Sequence, residues 1–374
     1  MNKKILLMYI SEHSGHHQAS IALEKAVFKR NPDAEVMNVN AFKYVNPILE
    51  KIIHKTYMRV IRKRPEIWGY LYDNPEIVKK TERLRNFVNN ANSKKIAGLI
   101  RKFSPDIVAC TQAFPCGIFA SYKKRYGNTT PLVGILTDYA PHAYWIYDDV
   151  DAYIVPSFEV GQALIKKGAD SGRVKVLGVP IDPVFAEHPD KNEIYEKINL
   201  VQGKPVILIM GGTHGIGPDE KLITALDAVK TDLQVIMITG INNGLFKKAK
   251  AISVYSKKKI VVLGFVDNVH EIMEISDLII TKPGGLTTAE ALAKSLPIVI
   301  INPLPGQEDF NTKVLISGGM AVKASDEADA VRSIEGLLAM PDKINSMKSA
   351  MRTASKPHSA RDIAELLLNF KNRE

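Results

Sequence analysis

Short apolar runs alternate along the chain with longer amphipathic stretches. The short runs have the length of strands and predict eleven of them, in the segments 4–10, 34–40, 106–112, 131–138, 152–157, 173–179, 205–212, 233–240, 260–266, 277–283 and 297–303. Amphipathic stretches such as 17–30 and 219–230 lie between them and predict helices. Apolar strands that alternate with helices are typical of parallel sheets covered on both faces, so the pattern predicts an α/β fold.

This alternation occurs twice, and the polar, proline-marked segment 180–205 separates the two series. The pattern therefore predicts two doubly wound, Rossmann-like domains, 1–179 and 180–374. Ligands bind such sheets at the carboxyl ends of the strands, so we expect the two domains to face a central cleft. The last helix, about 358–374, is a candidate to pack back on the first domain.

Composition limits the partners and the compartment. The formal net charge of +10 favours an anionic partner, which could be nucleic acid, an anionic membrane surface or a phosphorylated substrate. Cys110 and Cys116 fit neither a disulfide framework nor a zinc pattern, which predicts a reducing cytosol. The N-terminal apolar run is too short for a signal peptide, and no stretch approaches the ~18 apolar residues of a membrane span. We therefore expect any contact with a bilayer to be peripheral.

One segment, 44–72, departs from the alternation because it is both basic and aromatic. On a helix, its apolar side chains share one side and its cationic ones lie largely on another, which is typical of a helix in a membrane surface. An amphipathic helix that packs on its own domain fits the same periodicity equally well. The candidate membrane and acceptor residues of this segment are Lys51, Lys55, Arg62, Lys63 and Trp68.

A glycine pair follows one of the predicted strands in the stretch Lys282-Pro283-Gly284-Gly285. Adjacent glycines leave the backbone open at a turn, and the following residues form good helix sequence whose first amides point at that turn. Such a helix start binds an anion, most often a phosphate. Within this helix, Glu290 could accept hydrogen bonds from ribose hydroxyls.

The neighbouring loops predict the rest of a nucleotide-sugar site. In the loop 302–311, proline and glycine fix a rigid turn that Gln307, Glu308 and Asn311 crowd with polar groups suited to sugar hydroxyls. Backbone groups at the strand end 264–266 could bind a flat base. Together these segments follow the order base, ribose, diphosphate and sugar.

The loop GGTHGIG, 211–217, is expected to lie near the diphosphate through Gly212 and Thr213. Its glycine spacing does not match a dinucleotide fingerprint, and the chain has no G-x-x-x-x-G-K-[ST] motif. Nucleoside-triphosphate chemistry is therefore disfavoured.

The first domain contributes polar loops of its own. The loop 11–20 carries His13, His16 and His17, and the loop 137–145 carries Asp138, His142 and Trp145. His142 and Trp145 are candidate contacts of the acceptor. A neutral imidazole can remove a proton from an attacking hydroxyl, and a carboxylate can orient that imidazole or act as the base itself. His13, His17 and His142 could equally cap helices or bond the backbone, whereas for His16 a role in chemistry is favoured by the resemblance given below. They lack a third donor at ligand spacing, so no metal site is predicted.

The motifs SGHHQAS, TDYAPHAYW, GFVDNVHEIMEISDLIITKPGGLTTAEAL and PGQEDFN resemble those of the glycosyl-diacylglycerol synthases, from roughly Lys4 to Asn311. These glycosyltransferases include plant monogalactosyldiacylglycerol synthases and bacterial processive diacylglycerol glucosyltransferases. The resemblance implies a GT-B fold and a monotopic protein at the cytoplasmic face of the membrane. It also implies inverting transfer of glucose or galactose from a UDP-sugar to diacylglycerol, with no cofactor and no metal.

The resemblance also implies roles for individual residues. The glycine-loop histidine of the family falls on His16 and its aspartate on Asp138, as base or partner of the base. The loop here reads His13-Ser14-Gly15-His16 instead of Gly-x-Gly-His, which leaves open whether His16 or His17 faces the acceptor. The implied donor contacts are Phe265, Val266, Gly284, Gly285, Thr287 and Glu290 for the nucleotide, and Gln307, Glu308 and Asn311 for the sugar.

Other functions remain possible at this point. The same architecture could serve a different lipid-linked or soluble acceptor, a UDP-N-acetylglucosamine epimerase, or a non-catalytic sensor of nucleotide sugars. Nucleic-acid binding is disfavoured, because no recognition motif accompanies the basic segment. The expected partners are a UDP-sugar, diacylglycerol and an anionic membrane surface.

Overall fold

The computed structural model describes residues 2–46 and 75–371. The chain divides into two compact units. The first unit consists of Met1–Pro183, Pro305–Gln307 and His358–Glu374. The second consists of Val184–Leu304 and Glu308–Pro357. The division after Pro183 lies close to the sequence-based boundary at 179.

The first unit contains a six-stranded parallel sheet with the strand order β2-β1-β3-β4-β5-β6. Its strands are β1 Lys4–Tyr9, β2 Glu35–Asn40, β3 Ile107–Cys110, β4 Leu132–Ile135, β5 Ala152–Val155 and β6 Val174–Val176. The helices between them are α1 Gly15–Arg30, α2 Ala41–Val45, α3 Pro75–Phe103, α4 Ala113–Tyr126 and α5 Phe158–Lys166, with short 3-10 helices at Ala143–Trp145, Ser171–Arg173 and Pro183–Ala186.

The second unit contains another six-stranded parallel sheet, with the order β12-β11-β10-β7-β8-β9. Its strands are β7 Val206–Met210, β8 Gln234–Ile238, β9 Lys259–Leu263, β10 Leu278–Thr281, β11 Ile298–Ile300 and β12 Ala321–Lys323. Its helices are α6 Lys191–Ile198, α7 Lys221–Leu226, α8 Asn243–Ser253, α9 Val269–Ile275, α10 Gly285–Ala293, α11 Gln307–Ser317, α12 Glu327–Leu338 and α13 Pro341–Ala354. The last helix of the chain, α14 Ser359–Leu368, belongs to the first unit.

Each sheet is apolar on both faces, which explains why its strands appear in the sequence as continuous apolar runs. All five residues of β7 are buried, and so are the four residues of β3 and of β4. Helices that cover both faces of a parallel sheet require this burial. The α/β class and the two Rossmann-like domains predicted from the pattern are confirmed.

The structure differs from the sequence prediction at two elements. Strand β12 was not predicted, because only three residues pair with β11 and the last of them, Lys323, is exposed. The polar residues 307–311, predicted as loop, lie in the first turns of α11. Glu308 and Asp309 favour that helix start, since acidic side chains stabilise the positive end of a helix.

The strand order of each sheet reverses at one strand. In the first sheet β1 lies between β2 and β3, and in the second sheet β7 lies between β8 and β10. Loops that leave two neighbouring strands in opposite directions open a crevice at the carboxyl ends of those strands, where open α/β sheets bind ligands. The loops after β1 and β3, and those after β7 and β10, therefore occupy the ligand-binding positions of the two units.

The final helix α14 completes the core of the first unit. It packs against α1, and its residues Ile363, Ala364 and Leu367 are fully buried in that core. The hydroxyl of Ser359 donates to the carbonyl of Val179 at 2.6 Å, which fixes the start of the helix. Residues from opposite ends of the described chain, such as Ile5 and Leu367, thus belong to one apolar cluster.

Residues 47–74 are outside the described part of the chain, and they include almost all of the predicted membrane segment. The predicted contact residues Lys51, Lys55, Arg62, Lys63 and Trp68 therefore lie outside the described residues. Among the helices that are described, none is long and apolar enough to cross a membrane.

Candidate active site

His16 lies in the first turn of α1, directly after the loop that follows β1. The hydroxyl of Ser14 accepts the amide of His17 at 3.2 Å and so caps this helix. The preceding loop turns sharply, with positive φ angles of 67° at Ser11 and 61° at His13. Capping and turn together hold His16 at the carboxyl end of β1, beside the loop after β3.

Two threonines on neighbouring strand ends orient the imidazole. Its Nδ1 atom lies 3.0 Å from the carbonyl oxygen of Thr111 and 2.7 Å from the hydroxyl of Thr137, while the Thr111 hydroxyl donates to the His16 carbonyl at 3.0 Å. A carbonyl oxygen can only accept, so the contact with Thr111 favours the tautomer in which the neutral ring donates from Nδ1 and keeps its lone pair on Nε2. This is the tautomer that a general base requires.

The surroundings of His16 favour the neutral ring. Burial lowers the pKa of His16, and the charge of Asp138 and the hydrogen bond to Thr111 offset this only in part. Asp138 comes two residues after the apolar residue Leu136 and acts on the ring through its charge. The pair can accept a proton on the imidazole and stabilise the resulting cation with the carboxylate.

His17 has a different environment, although it is adjacent in sequence. Its ring stacks on Tyr9 with 4.1 Å between the ring centroids, and its Nδ1 atom accepts the amide of His13 at 3.2 Å. Burial lowers the pKa of His17 as well. The loops after β3 and β4 contact His16, whereas His17 packs on β1, so the geometry favours His16 as the base.

The other two candidates in the first unit make internal contacts. Trp145 is buried, and its ring lies over Gly134 in β4, where an added Cβ would be 3.4 Å from the indole. His142 accepts the amide of Tyr144 on its Nδ1 atom at 3.2 Å. Their predicted contact with the acceptor stays a prediction.

In the second unit, the glycine turn ends β10 and starts α10. Gly284 has extended backbone angles and accepts the amide of Thr288 at 2.9 Å, the first hydrogen bond of the helix. Gly284 has no side chain with which to cap the helix, so the amides of Gly285, Leu286 and Thr287 lack an acceptor within it. Thr287 and Glu290, three residues apart, lie on the same side of α10. The turn therefore has the geometry of a phosphate site.

The loop after β7 packs against this turn, as the strand order requires. Gly212 has a φ of 67°, and its carbonyl accepts the amide of Gly215 at 3.0 Å, which folds the loop tightly. An added Cβ at Gly217 would lie 3.3 Å from the side chain of Lys282. The carbonyl of Thr213 accepts the amide of Ile241 at 2.9 Å and so joins this loop to the one after β8.

Two of the predicted sugar-contact residues hold the glycine turn in place. Asn311 is fully buried and donates to the carbonyl of Pro283 at 2.7 Å. Glu308 is also buried; it accepts the amide of Leu304 at 2.7 Å and forms an ion pair with Lys282. Lys282 was not among the predicted site residues, although its place between an apolar strand and Pro-Gly-Gly was a usable signal.

The remaining donor candidates lie on neighbouring elements. Phe265 is 54% exposed and, with Val266, follows the end of β9, which stops at Leu263 rather than at 266 as predicted. Gln307 is the first residue of α11. Within the ranges 2–46 and 75–371, no three His, Cys, Asp or Glu side chains come together in a way that could hold a metal ion.

The fold is shared with solved structures at low sequence identity. MurG of Acinetobacter baumannii superposes with a TM-score of 0.63 at 14% identity, over 98% of this chain and 100% of that one. A UDP-GlcNAc 2-epimerase from Neisseria meningitidis superposes with a TM-score of 0.61 at 14% identity, over 98% of this chain and 99% of the epimerase. At such identities the likeness establishes the GT-B fold alone.

Sequence comparison identifies the class and then the family. The model described as Monogalactosyldiacylglycerol (MGDG) synthase matches residues 16–181, and that of the Glycosyltransferase family 28 C-terminal domain matches residues 206–367. These matches define a UDP-sugar-dependent glycosyltransferase with a GT-B fold. A Bacillus subtilis protein named processive diacylglycerol beta-glucosyltransferase is 30% identical over 98% of this chain and 95% of its own length. A Bacillus licheniformis protein of the same name is 29% identical over 99% of this chain and 97% of its own length. The chain belongs to this family of glycosyl-diacylglycerol synthases.

Proposed function

We propose that the protein transfers glucose from UDP-glucose to diacylglycerol with inversion, producing a β-glucosyl-diacylglycerol. The observation that carries the proposal is the orientation of His16 at the ligand-binding end of the first sheet, with Nδ1 3.0 Å from the carbonyl oxygen of Thr111. This contact favours the tautomer whose Nε2 can accept a proton. The family relationship supports the choice of substrates, because the Bacillus relatives matched over nearly their full length are named for this reaction.

The donor binds the second unit in this proposal. Its diphosphate lies at the start of α10, where no side chain caps the helix and the amides of Gly285 to Thr287 have no acceptor within it. A helix N-terminus stabilises such a charge by ~0.3–1 kcal/mol when exposed and by more when it is partly buried. Glu290 accepts from the ribose hydroxyls, the backbone at Phe265 and Val266 contacts uracil, and Gln307 lies toward the sugar.

The acceptor binds the first unit. Nε2 of His16 removes the proton of the diacylglycerol hydroxyl as that oxygen attacks the anomeric carbon, on the side opposite the departing UDP. Asp138 stabilises the imidazolium that forms. Attack from the opposite side converts the α-linked donor into a β-glycoside. A well-placed general base contributes about 10²–10⁴-fold to the rate.

We further propose that the protein works at the cytoplasmic face of the membrane, attached peripherally. The net charge of +10 and the basic, aromatic segment 44–72 support binding to anionic lipid. The proposal includes no divalent metal, because the helix start can offset the diphosphate charge.

The decisive experiment combines the purified protein with vesicles that contain diacylglycerol and anionic lipid. UDP-glucose, UDP-galactose and UDP-N-acetylglucosamine are supplied separately, and the lipid product is identified by mass and linkage. We expect a β-glucosyl lipid from UDP-glucose, formed with or without chelator. UDP binding without any glycolipid would indicate a sensor, and an altered free sugar in the absence of acceptor would indicate an epimerase; either result contradicts the proposal.

A further inference from the structure

Lys282 and Glu308 form an ion pair beside the glycine turn of the second unit. Lys282 directly precedes that turn, and Glu308 lies in the first turn of α11. We propose that the Lys282 ammonium contacts the diphosphate of the donor and stabilises the charge on the departing UDP. The inference rests on the proposed function, since it requires a nucleoside-diphosphate donor at this turn.

The position of the ammonium supports this role. A Cβ added at Gly284 would lie 3.6 Å from Nζ of Lys282 and 3.9 Å from the nearer oxygen of Glu308. The ammonium therefore lies beside Gly284, at the start of α10. An anion that accepts the first amides of α10 would lie within reach of Nζ.

The two partners of the ion pair differ in exposure. The Glu308 side chain is only 2% exposed, whereas the Lys282 side chain is 18% exposed. Glu308 is also fixed by the amide of Leu304, at 2.7 Å from its second oxygen. An ammonium has three donors and Glu308 takes one, so Lys282 can keep this bond and donate to a phosphate oxygen as well. Glu308 thus positions the lysine for the ligand.

Lys294 shows what a purely structural lysine looks like in the same unit. It follows the C-terminal end of α10, and its side chain is 0% exposed. It donates to Glu274 at 2.8 Å and to the carbonyl of Glu187. The two ion pairs lie at opposite ends of one helix, and only the Lys282 pair lies at the end that binds anions.

The chemical role follows from the transfer step. The bond between the anomeric carbon and the β-phosphate oxygen breaks, and its electron pair moves to that oxygen. A hydrogen bond from a cation to this oxygen strengthens as the charge develops. The acceptor proton moves to His16, so Lys282 transfers no proton in this step.

The test uses Lys282→Met and the double variant Lys282→Met/Glu308→Gln. The single variant leaves a buried carboxylate unpaired and can fail to fold. The double variant removes that carboxylate as well, so its melting temperature reports the fold while the ammonium is absent. Lys294→Met/Glu274→Gln is the matched control. For each variant, calorimetry gives the Kd of UDP and of UMP, and turnover is measured with UDP-glucose.

We expect the double variant at 282 and 308 to bind UDP about 10- to 100-fold more weakly than the wild type, and to lose less affinity for UMP than for UDP. Its turnover with UDP-glucose should fall by a larger factor than its affinity for UDP. The control at 294 and 274 should keep the UDP affinity of the wild type. Unchanged UDP affinity in a folded 282/308 variant overturns the inference, while wild-type product formation keeps the proposed function. A wild type that neither binds UDP nor forms product overturns both.

Discussion

The Nδ1 atom of His16 lies 3.0 Å from the carbonyl oxygen of Thr111, at the end of the neighbouring parallel strand β3. Because that carbonyl is neutral, the tautomer of the ring is set without a carboxylate on Nδ1. Asp138 influences the ring through its charge instead. Thr111 therefore orients the base, while Asp138 supports it electrostatically. Mutations can separate the two effects because they depend on different residues.

Replacing His16 by Ala should lower turnover about 10²–10⁴-fold, because the transferred proton loses its acceptor. The Kd for UDP should stay near the wild-type value, since His16 lies in the first unit and the proposed UDP contacts lie in the second. Steady-state turnover and calorimetry measure the two quantities.

The matched control is His17→Ala, which removes the adjacent histidine and its stacking on Tyr9. We expect a smaller loss of turnover than in the His16 variant. The opposite order, with the larger loss at His17, would assign the base to His17.

The pH dependence of turnover should reflect the lowered pKa of His16. The ring is active when neutral, and burial favours the neutral form, so the acid limb of kcat should lie below about pH 6.5, the ordinary histidine value. The negative charge of Asp138 raises this pKa, so Asp138→Asn should move the limb to still lower pH and reduce kcat. If Asp138 were itself the base, the variant would have no turnover at any pH.

Thr137→Val removes the hydroxyl that lies 2.7 Å from Nδ1 of His16. The ring then loses part of its orientation, and we expect kcat to fall about tenfold, the worth of one hydrogen bond, with no change in the Kd for UDP. Thr137→Ser keeps the hydroxyl and should restore kcat. A serine variant as slow as the valine variant would show that packing, rather than the hydrogen bond, sets the rate.

Glu290→Gln tests the proposed ribose contact. The wild type should bind UDP more tightly than 2′-deoxy-UDP, because the carboxylate accepts from the ribose hydroxyls. The variant should bind UDP about tenfold more weakly and lose most of this discrimination. If the wild type and the variant prefer UDP over 2′-deoxy-UDP to the same extent, the ribose does not contact Glu290. Calorimetric titrations of the wild type and the variant, each with UDP and with 2′-deoxy-UDP, isolate the contribution of the contact between Glu290 and the ribose hydroxyl.

Leu367→Ala should destabilise the first unit, because Leu367 is fully buried among residues of the core sheet and α1. Removing a buried leucine side chain costs about 2–5 kcal/mol. Glu365→Ala on the same helix removes an exposed ion pair with Arg30 and should cost about 0–1 kcal/mol. Urea unfolding monitored by circular dichroism gives both values, and equal costs would contradict the packing described for α14.

The strands were predictable from sequence because burial on both faces leaves a strong signal, as in β7 and β10. Strand β12 gave no such signal, since its three residues end in the exposed Lys323. The start of α11 was obscured by Pro305 and Gly306, which indicate a turn, although the acidic residues after them also favour a helix start.

The loops of the candidate site were predictable because the carboxyl ends of parallel strands share one edge of a sheet. Their contacts were not. The hydrogen bonds of His16 join it to Thr111 and Thr137, 95 and 121 positions away, and residue types alone do not specify such pairs. Likewise, Glu308 has the sequence character of a sugar ligand, and only the fold shows that it pairs with Lys282.

The return of α14 to the first unit affects how members of this family can be recombined. The segment Val184–Pro357 is bracketed by first-unit sequence on both sides. A chimera that joins two proteins at a single crossover in this segment therefore packs the α14 of one protein on the sheet and α1 of the other. Transferring donor specificity from one protein to another therefore needs two junctions, one near Pro183 and one near His358. The second unit of one protein is then inserted between the first-unit segments of the other.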